Sequence, residues 1–314
     1  MKKIFIILII LIATHAKASQ ITQTIKLSTG WNAVFIEIAP IHPKPDILFK
    51  DLPVDQVFTY HTQKTSVQFI QEPDEIEFNK DGWNRWVPAQ QNDAFLNNIF
   101  NIFPGQAYLI HATNDHIWQL TGNAHLTKQV WQPDSFNLKG FYVNPEAPPT
   151  FASYFQYSQA HASLTVFSLI NSHWQQITDI ENTPIESGKA YWIYSKGGSD
   201  YNGPLKIDLS STLNFNIEKL SSNIHCFNRT QNPLEVQFQL MTDSSFPLLR
   251  RLSSNSGKIY YKQFQDAIIN ILPEKVKKLS LAIKSGSFSE SMNRSVLKIT
   301  DDAGTRLFIP VSYQ

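Results

Sequence analysis

The sequence predicts an all-β protein, two tandem small β-domains followed by an immunoglobulin-like β-sandwich. Three observations predict it. Apolar residues recur at every second position, as in Val57-Phe58-Thr59-Tyr60 and Leu205-Lys206-Ile207-Asp208-Leu209, the period of strands buried on one face. One pattern is written twice: Gly30-Trp31-Asn32 … Gly105-Gln-Ala107-Tyr108-Leu109-Ile110, then Gly140-Phe141-Tyr142 … Gly188-Lys-Ala190-Tyr191-Trp192-Ile193. The last stretch holds many short strand candidates between turns. The expected boundaries are a leader at 1–18, β-domains at 19–126 and 127–209, and the sandwich at 210–314.

Met1 to Ala18 reads as a secretory signal peptide. Lys2 and Lys3 supply the positive start, Ile4 to Ala13 is an apolar run too short to span a bilayer, and Ala16-Lys17-Ala18 is a small-x-small cleavage site. No cysteine follows the apolar run, so lipid anchoring is not expected. Cleavage would leave 24 basic against 26 acidic side chains and no stable membrane span. The charge is uneven: 19–204 carries 10 basic and 17 acidic residues, 205–314 carries 14 and 9. That asymmetry could seat the last domain on an acidic partner or a phosphate-bearing cell-envelope polymer, but solvated charge is the favoured reading because no run of like charge exceeds Lys277-Lys278 or Arg250-Arg251, and nothing in it gives a footprint for nucleic acid. The single cysteine, Cys226, excludes an internal disulfide, so stability must come from packed cores. Its place between His225 and Phe227 in an alternating stretch points to a buried strand position.

Within each copy one order recurs. A strand opens after the glycine, then a proline loop leads to a helical turn at Asp46–Leu52 or Thr150–Phe155, where Pro45 and Pro149 favour helix starts. A strand follows (Gln56–His61 or Leu164–Ile170), then a tryptophan strand (Trp83–Pro88 or His173–Ile177). The Gly-x-Ala-Tyr strand and a last strand, Trp118–Leu120 or Pro204–Ile207, close the copy. The polar, acidic stretch Thr62–Asp81 reads as an insertion. Beyond Ser211 the strand candidates are 213–217, 224–228, 234–241, 258–262, 268–272, 278–284, 296–300 and 306–312. Asp301-Asp302-Ala303-Gly304 is the final hairpin turn.

Gly-Trp-Asn, an apolar strand, a phenylalanine-bearing turn, a tryptophan strand and Gly-x-x-Tyr-Trp-Ile together resemble a β-rich repeat of exported bacterial proteins. The resemblance covers Leu27 to about Gly122 and Leu138 to about Gly203. Such repeats occur beside immunoglobulin-like modules and mostly lack an assigned function, so the resemblance implies an architecture and no activity.

Motifs for chemistry are sparse. There is no Gly-x-Ser-x-Gly and no His-Glu-x-x-His. His111, His116 and His125 would bind zinc only if a hairpin gathered them. Neither Asn79–Gly82 nor Asp301–Gly304 supplies enough acids for calcium. No cofactor is expected. Tryptophans remain: the seven in the chain are either cores of small domains or a stacking surface. Trp86 and Trp118, flanked by polar residues, are the expected exposed pair and hence the candidate binding residues. The expected function is a non-catalytic surface or periplasmic module for protein interaction or assembly. The alternatives are a carbohydrate-binding module using exposed tryptophans, or a hydrolase of unfamiliar type.

Overall fold

The computed structural model describes residues 20–61, 73, 81–209, 212–241, 246–254, 256–284 and 294–313. The expected signal peptide and most of the Thr62–Asp81 insertion lie outside the described residues. What is described is nearly all β, as expected.

The first copy contains β1 (Gln20–Leu27), β2 (Gly30–Ile36), β3 (Ala39–Pro40), the helical turn α1 (Pro45–Leu48), β4 (Val54–Tyr60), β5 (Trp83–Trp86), β6 (Gln106–Ala112) and β7 (His116–Asn123). A four-stranded antiparallel sheet runs β2-β6-β4-β5, and a three-stranded sheet runs β1-β7-β3. Alternation assigns the faces. Val34, Ile36, Val57, Tyr108 and Ile110 turn toward Ile25, Leu27, Trp118 and Leu120 of the smaller sheet. Trp31, Ala33, Phe35, Phe58 and Leu109 turn the other way. A sheet buried on both faces explains why Trp31–Ile36 is almost continuously apolar.

The second copy contains β8 (Ser135–Gly140), α2 (Phe151–Phe155), β9 (Val166–Ile170), β10 (His173–Gln176) and β11 (Ala190–Ser195). Its sheet runs β10-β9-β11-β8, matching β5-β4-β6-β2 strand for strand. The two sheets lie face to face. Leu138, Leu169, Ala190 and Trp192 of the second pack on Trp31, Phe35, Phe58, Tyr60, Trp83 and Leu109 of the first, forming one shared core. The outer face of the second sheet is closed by α2 and its loops through Phe141, Phe151, Tyr154, Phe155 and Tyr191. Thr150 caps α2, its side chain accepting from Ser153 N.

Strand register corrects the expected alignment of the two copies. Asn32 pairs with Ile110, and Asn137 pairs with Ile193, the same position of the Gly-x-Ala-Tyr strand. The counterpart of Trp31-Asn32 is therefore Phe136-Asn137, not Phe141-Tyr142. The hydrogen bonds agree. Asn32 Nδ2 donates to Ser28 O (2.7 Å) and Gly30 O (2.9 Å), while its Oδ1 accepts from Ser28 N. Asn137 Nδ2 donates to Gln132 O (3.1 Å) and Ser135 O (3.0 Å), while its Oδ1 accepts from Gln132 N. Tyr108 and Tyr191 match as well, each hydroxyl accepting the backbone N–H five residues earlier, from Phe103 and Glu186. The glycines misled because they answer different needs. Gly30 opens β2 at φ +95°. Gly140 closes β8 where an added Cβ would stand 2.2 Å from Phe35 Cβ, so it permits close approach of the two copies.

The remaining strands are β12 (Leu205–Asp208), β13 (Leu213–Phe215), β14 (Ser221–Asn228), β15 (Leu234–Leu240), β16 (Leu248–Ser253), β17 (Ile259–Gln263), β18 (Asp266–Ile271), β19 (Val276–Ile283), β20 (Arg294–Asp301) and β21 (Arg306–Tyr313). They form an immunoglobulin-like sandwich of two five-stranded sheets, β12-β14-β19-β16-β17 and β13-β21-β20-β15-β18. Two local expectations are corrected. Leu205–Asp208, expected to close the second copy, pairs with β14 in the sandwich. Leu248–Ser253, not expected as a strand, is β16. Cys226 is fully buried in β14, and burial pushes its thiol up to about 12.

The sandwich docks on the second copy through its last hairpin. Asn144 N donates to Gly304 O (2.8 Å) and Arg306 N to Tyr142 O (3.1 Å). Beside these bonds, one buried ion pair joins all three parts. Arg306 Nη2 lies 2.7 Å from Glu37 Oε2 and 3.1 Å from Ser187 Oγ, and Ser187 Oγ donates to Glu37 Oε1 at 2.6 Å.

Candidate interaction surface

Trp86 and Trp118, the expected exposed pair, are only 4% and 5% exposed. Both pack on Phe49 just after α1, at ring-centroid distances of 5.2 and 5.5 Å, and Trp86 Nε1 donates to Asp46 Oδ1. Trp118 faces inward between the exposed Ile117 and Gln119 of an alternating strand, whereas Trp86 stands between Arg85 and Val87, which are buried as well, so polarity nearby in the sequence was no guide to exposure. Trp31, Trp83, Trp131 and Trp192 are buried too, and Trp174 is half-buried. A flat tryptophan platform for sugar rings is therefore absent among the described residues.

The histidines do not converge. His111 Nδ1 sits 2.6 Å from Asp55 Oδ1 with its ring edge-on to Trp31. Among the described residues no three His, Cys, Asp or Glu side chains are placed to hold a metal ion. Ser158 Oγ lies 2.7 Å from His161 Nδ1, but the two residues are three apart in one tight turn, and the pair fastens that turn. A cleft of about 570 Å³ runs between β1–β2 and the Pro184–Lys189 loop, lined by Lys26, Ser28, Trp31, Asn32, Glu186 and Lys189 among others.

What sequence reasoning missed is aromatic exposure in the approach to β6. Phe95 is 82% exposed, Phe100 73% and Phe103 55%. The loop that carries them is firmly held. Arg85 Nη2 pairs with Asp93 at 2.8 Å. Asn97 Oδ1 accepts from Val87 N, and its Nδ2 donates to Val87 O. Asn98 Oδ1 accepts from Arg85 N, and the Asn98 and Ile99 N–H groups both donate to Arg85 O. Ile99 and Ile102 turn inward to the core between the exposed phenylalanines. Ile102 N donates to Pro43 O, which brings the segment alongside the loop bearing Ile41 and the α1 turn bearing Ile47, both exposed. Asparagine amides thus pin the backbone to the free edge of β5, and large apolar rings are left to solvent. The sequence signal was present: asparagines interleaved with phenylalanines over Phe95–Phe103, with no strand period.

Two buried titratable groups give the molecule opposed acid responses. Desolvation pushes the Asp301 carboxyl up to about 6, although its Oδ1 accepts from Ala303 N and Thr305 N. The folded state holds that proton more tightly than the unfolded chain, so this contribution to stability falls as pH rises from about 4 to about 6. Burial pushes His161 down to about 4. The folded state resists that proton, so its contribution falls as pH drops from about 6.5 to about 4. Asp301→Asn is expected to leave the histidine slope alone, with the melting temperature dropping on acidification below about pH 6. His161→Gln should weaken that slope, leaving the opposite Asp301 response against the same-sign contribution of His125, which burial also pushes down. Melting curves at several pH values check both, and parallel slopes in the two variants would contradict these assignments.

No protein-family model matches the chain, and no curated protein sequence matches it. Among solved structures, a PapD-like domain of human CEP192 aligns at 8% identity over 35% of this chain and 84% of that one, with a TM-score of 0.21. The YadV chaperone aligns at 16% identity over 35% of this chain and 51% of its own, with a TM-score of 0.25. The VesB protease of Vibrio cholerae aligns at 8% identity over 93% of this chain and 98% of its own, with a TM-score of 0.21. Scores of this size carry no argument about ancestry or activity, so the architecture rests on the strand pairing itself. No described helix is long and apolar enough to cross a membrane.

Proposed function

We propose that the protein is an exported, non-catalytic module that binds a partner protein through the aromatic loop of its first copy. The observation that carries this reading is the pinned Asp93–Phe103 loop, whose phenylalanines are held outward by hydrogen bonds to β5 and Tyr108 while the adjacent isoleucines are buried. Large exposed rings on an ordered backbone lose little conformational freedom when covered, the property of an interface anchor. The Met1–Ala18 leader supports export.

Phe95→Ser combined with Phe100→Ser tests it. The exposed positions predict a stability change within about 0.5 kcal/mol. Crosslinking of the mature chain in its native envelope should recover a dominant protein partner with the wild type and lose it with the double variant. Equal recovery by both would overturn the reading.

A further inference from the structure

The sandwich ends in an edge strand that is unusual in both faces and in charge. β17 is the outermost strand of its sheet, and all five of its residues are exposed, Ile259, Tyr260 and Tyr261 included. Register fixes the faces. Leu248 pairs with Ile283 and Arg250 with Leu281, both core residues, so Arg250 stands on the inward face. Lys262 lies directly opposite Arg250, and Tyr260 opposite Leu252, on that same face. Arg251, Tyr261 and Ile259 share the outward face. Two cations thus face each other at positions the alternation reserves for core, where like charges in cross-strand register repel. Between Leu248 and Gln263 the hairpin has four basic residues, Arg250, Arg251, Lys258 and Lys262, and no acid. None of the four has an ion-pair partner among the described residues.

We infer that β17 receives an extended segment of a partner protein by strand addition, a segment with acidic side chains on one face and apolar side chains on the other. An added strand places alternate side chains on opposite faces. Its acidic face comes beside Lys262, with Arg250 one strand further in, and offsets the repulsion between the two. Its apolar face covers Ile259 and Tyr261. Lys262 and the adjoining Lys258 discourage pairing of β17 with a second β17, since that contact sets like charges together. The inference rests on the reading of the chain as an interaction module but uses a surface separate from the aromatic loop.

A fluorescein-labelled peptide of about seven residues alternating Glu and Val serves as the probe, with the full mature chain as receptor. Binding is expected at about 50 mM NaCl and should weaken severalfold by about 300 mM, because exposed charges are screened. Amide hydrogen exchange should slow at residues 259–263 when the probe is bound. Arg250→Glu with Lys262→Glu should lose the Glu–Val probe and gain a Lys–Val counterpart. Phe95→Ser with Phe100→Ser should bind the probe as the wild type does. Absence of protection at 259–263, or undiminished binding by the charge-reversed protein, would overturn the inference. So would stronger binding of polyphosphate than of the peptide, which would assign the surface to an anionic polymer. Probe binding without envelope capture would sink only the aromatic-loop reading, and capture without probe binding would sink only this one.

Discussion

Arg306→Met is expected to cost about 3–5 kcal/mol of stability, because it strands a buried carboxylate. The Glu37 side chain is 2% exposed, and among the described residues its carboxylate is held by the side chains of Arg306 and Ser187. Methionine roughly preserves the volume but withdraws the compensating charge. Removing both partners is a different experiment. Glu37→Gln with Arg306→Met leaves no buried charge, and much of the loss should return, since a buried ion pair contributes little against neutral replacements of similar shape. The double-mutant cycle, read by denaturant unfolding, separates the pair from its surroundings. A wild-type unfolding midpoint for Arg306→Met alone would show that the pair does not bind the three parts together.

Trp192→Ala carries the other large expected effect, about 3–5 kcal/mol. The ring is fully buried and touches Tyr60 at 5.0 Å and Trp83 at 6.1 Å in the first copy, and Trp174 at 6.1 Å in its own. Truncation opens a cavity between two sheets that cannot easily collapse, because neighbouring rings from both sides prop it open. Trp192→Phe should be far milder. The indole N–H has no hydrogen-bond partner among the described residues, so phenylalanine gives up volume and none of the hydrogen bonds described. Both copies should melt in one transition in each variant, because they share this core. Two separated transitions in calorimetry would contradict that coupling.

Much of the fold was legible because strand alternation is local. The helical turns after Pro45 and Pro149 and the Asp301–Gly304 hairpin formed where the residues indicated. Pairing was less legible. Leu205-Lys206-Ile207-Asp208 alternates in the same way whichever sheet receives it, and only tertiary packing assigns it to β14. β16 was missed because Arg250 stands where an apolar residue would mark the strand. The candidate site left only a faint sequence signal, asparagines interleaved with phenylalanines, while flanking polarity placed the exposed aromatics elsewhere. Arg85 beside Trp86 reads as surface yet is itself buried, and Trp118 has exposed neighbours on both sides, so neither local sequence reports the ring's burial. Phe95, Phe100 and Phe103 read as ordinary hydrophobic content until the buried isoleucines between them are placed.

The Glu37–Arg306 pair spans 269 residues of chain. A polypeptide is made from its N-terminus, so the carboxylate emerges long before its counterion. The first copy therefore completes its set of contacts only when the last strand arrives. A product cut short before residue 306 would leave the Glu37 carboxylate without its counterion at the junction of the three parts.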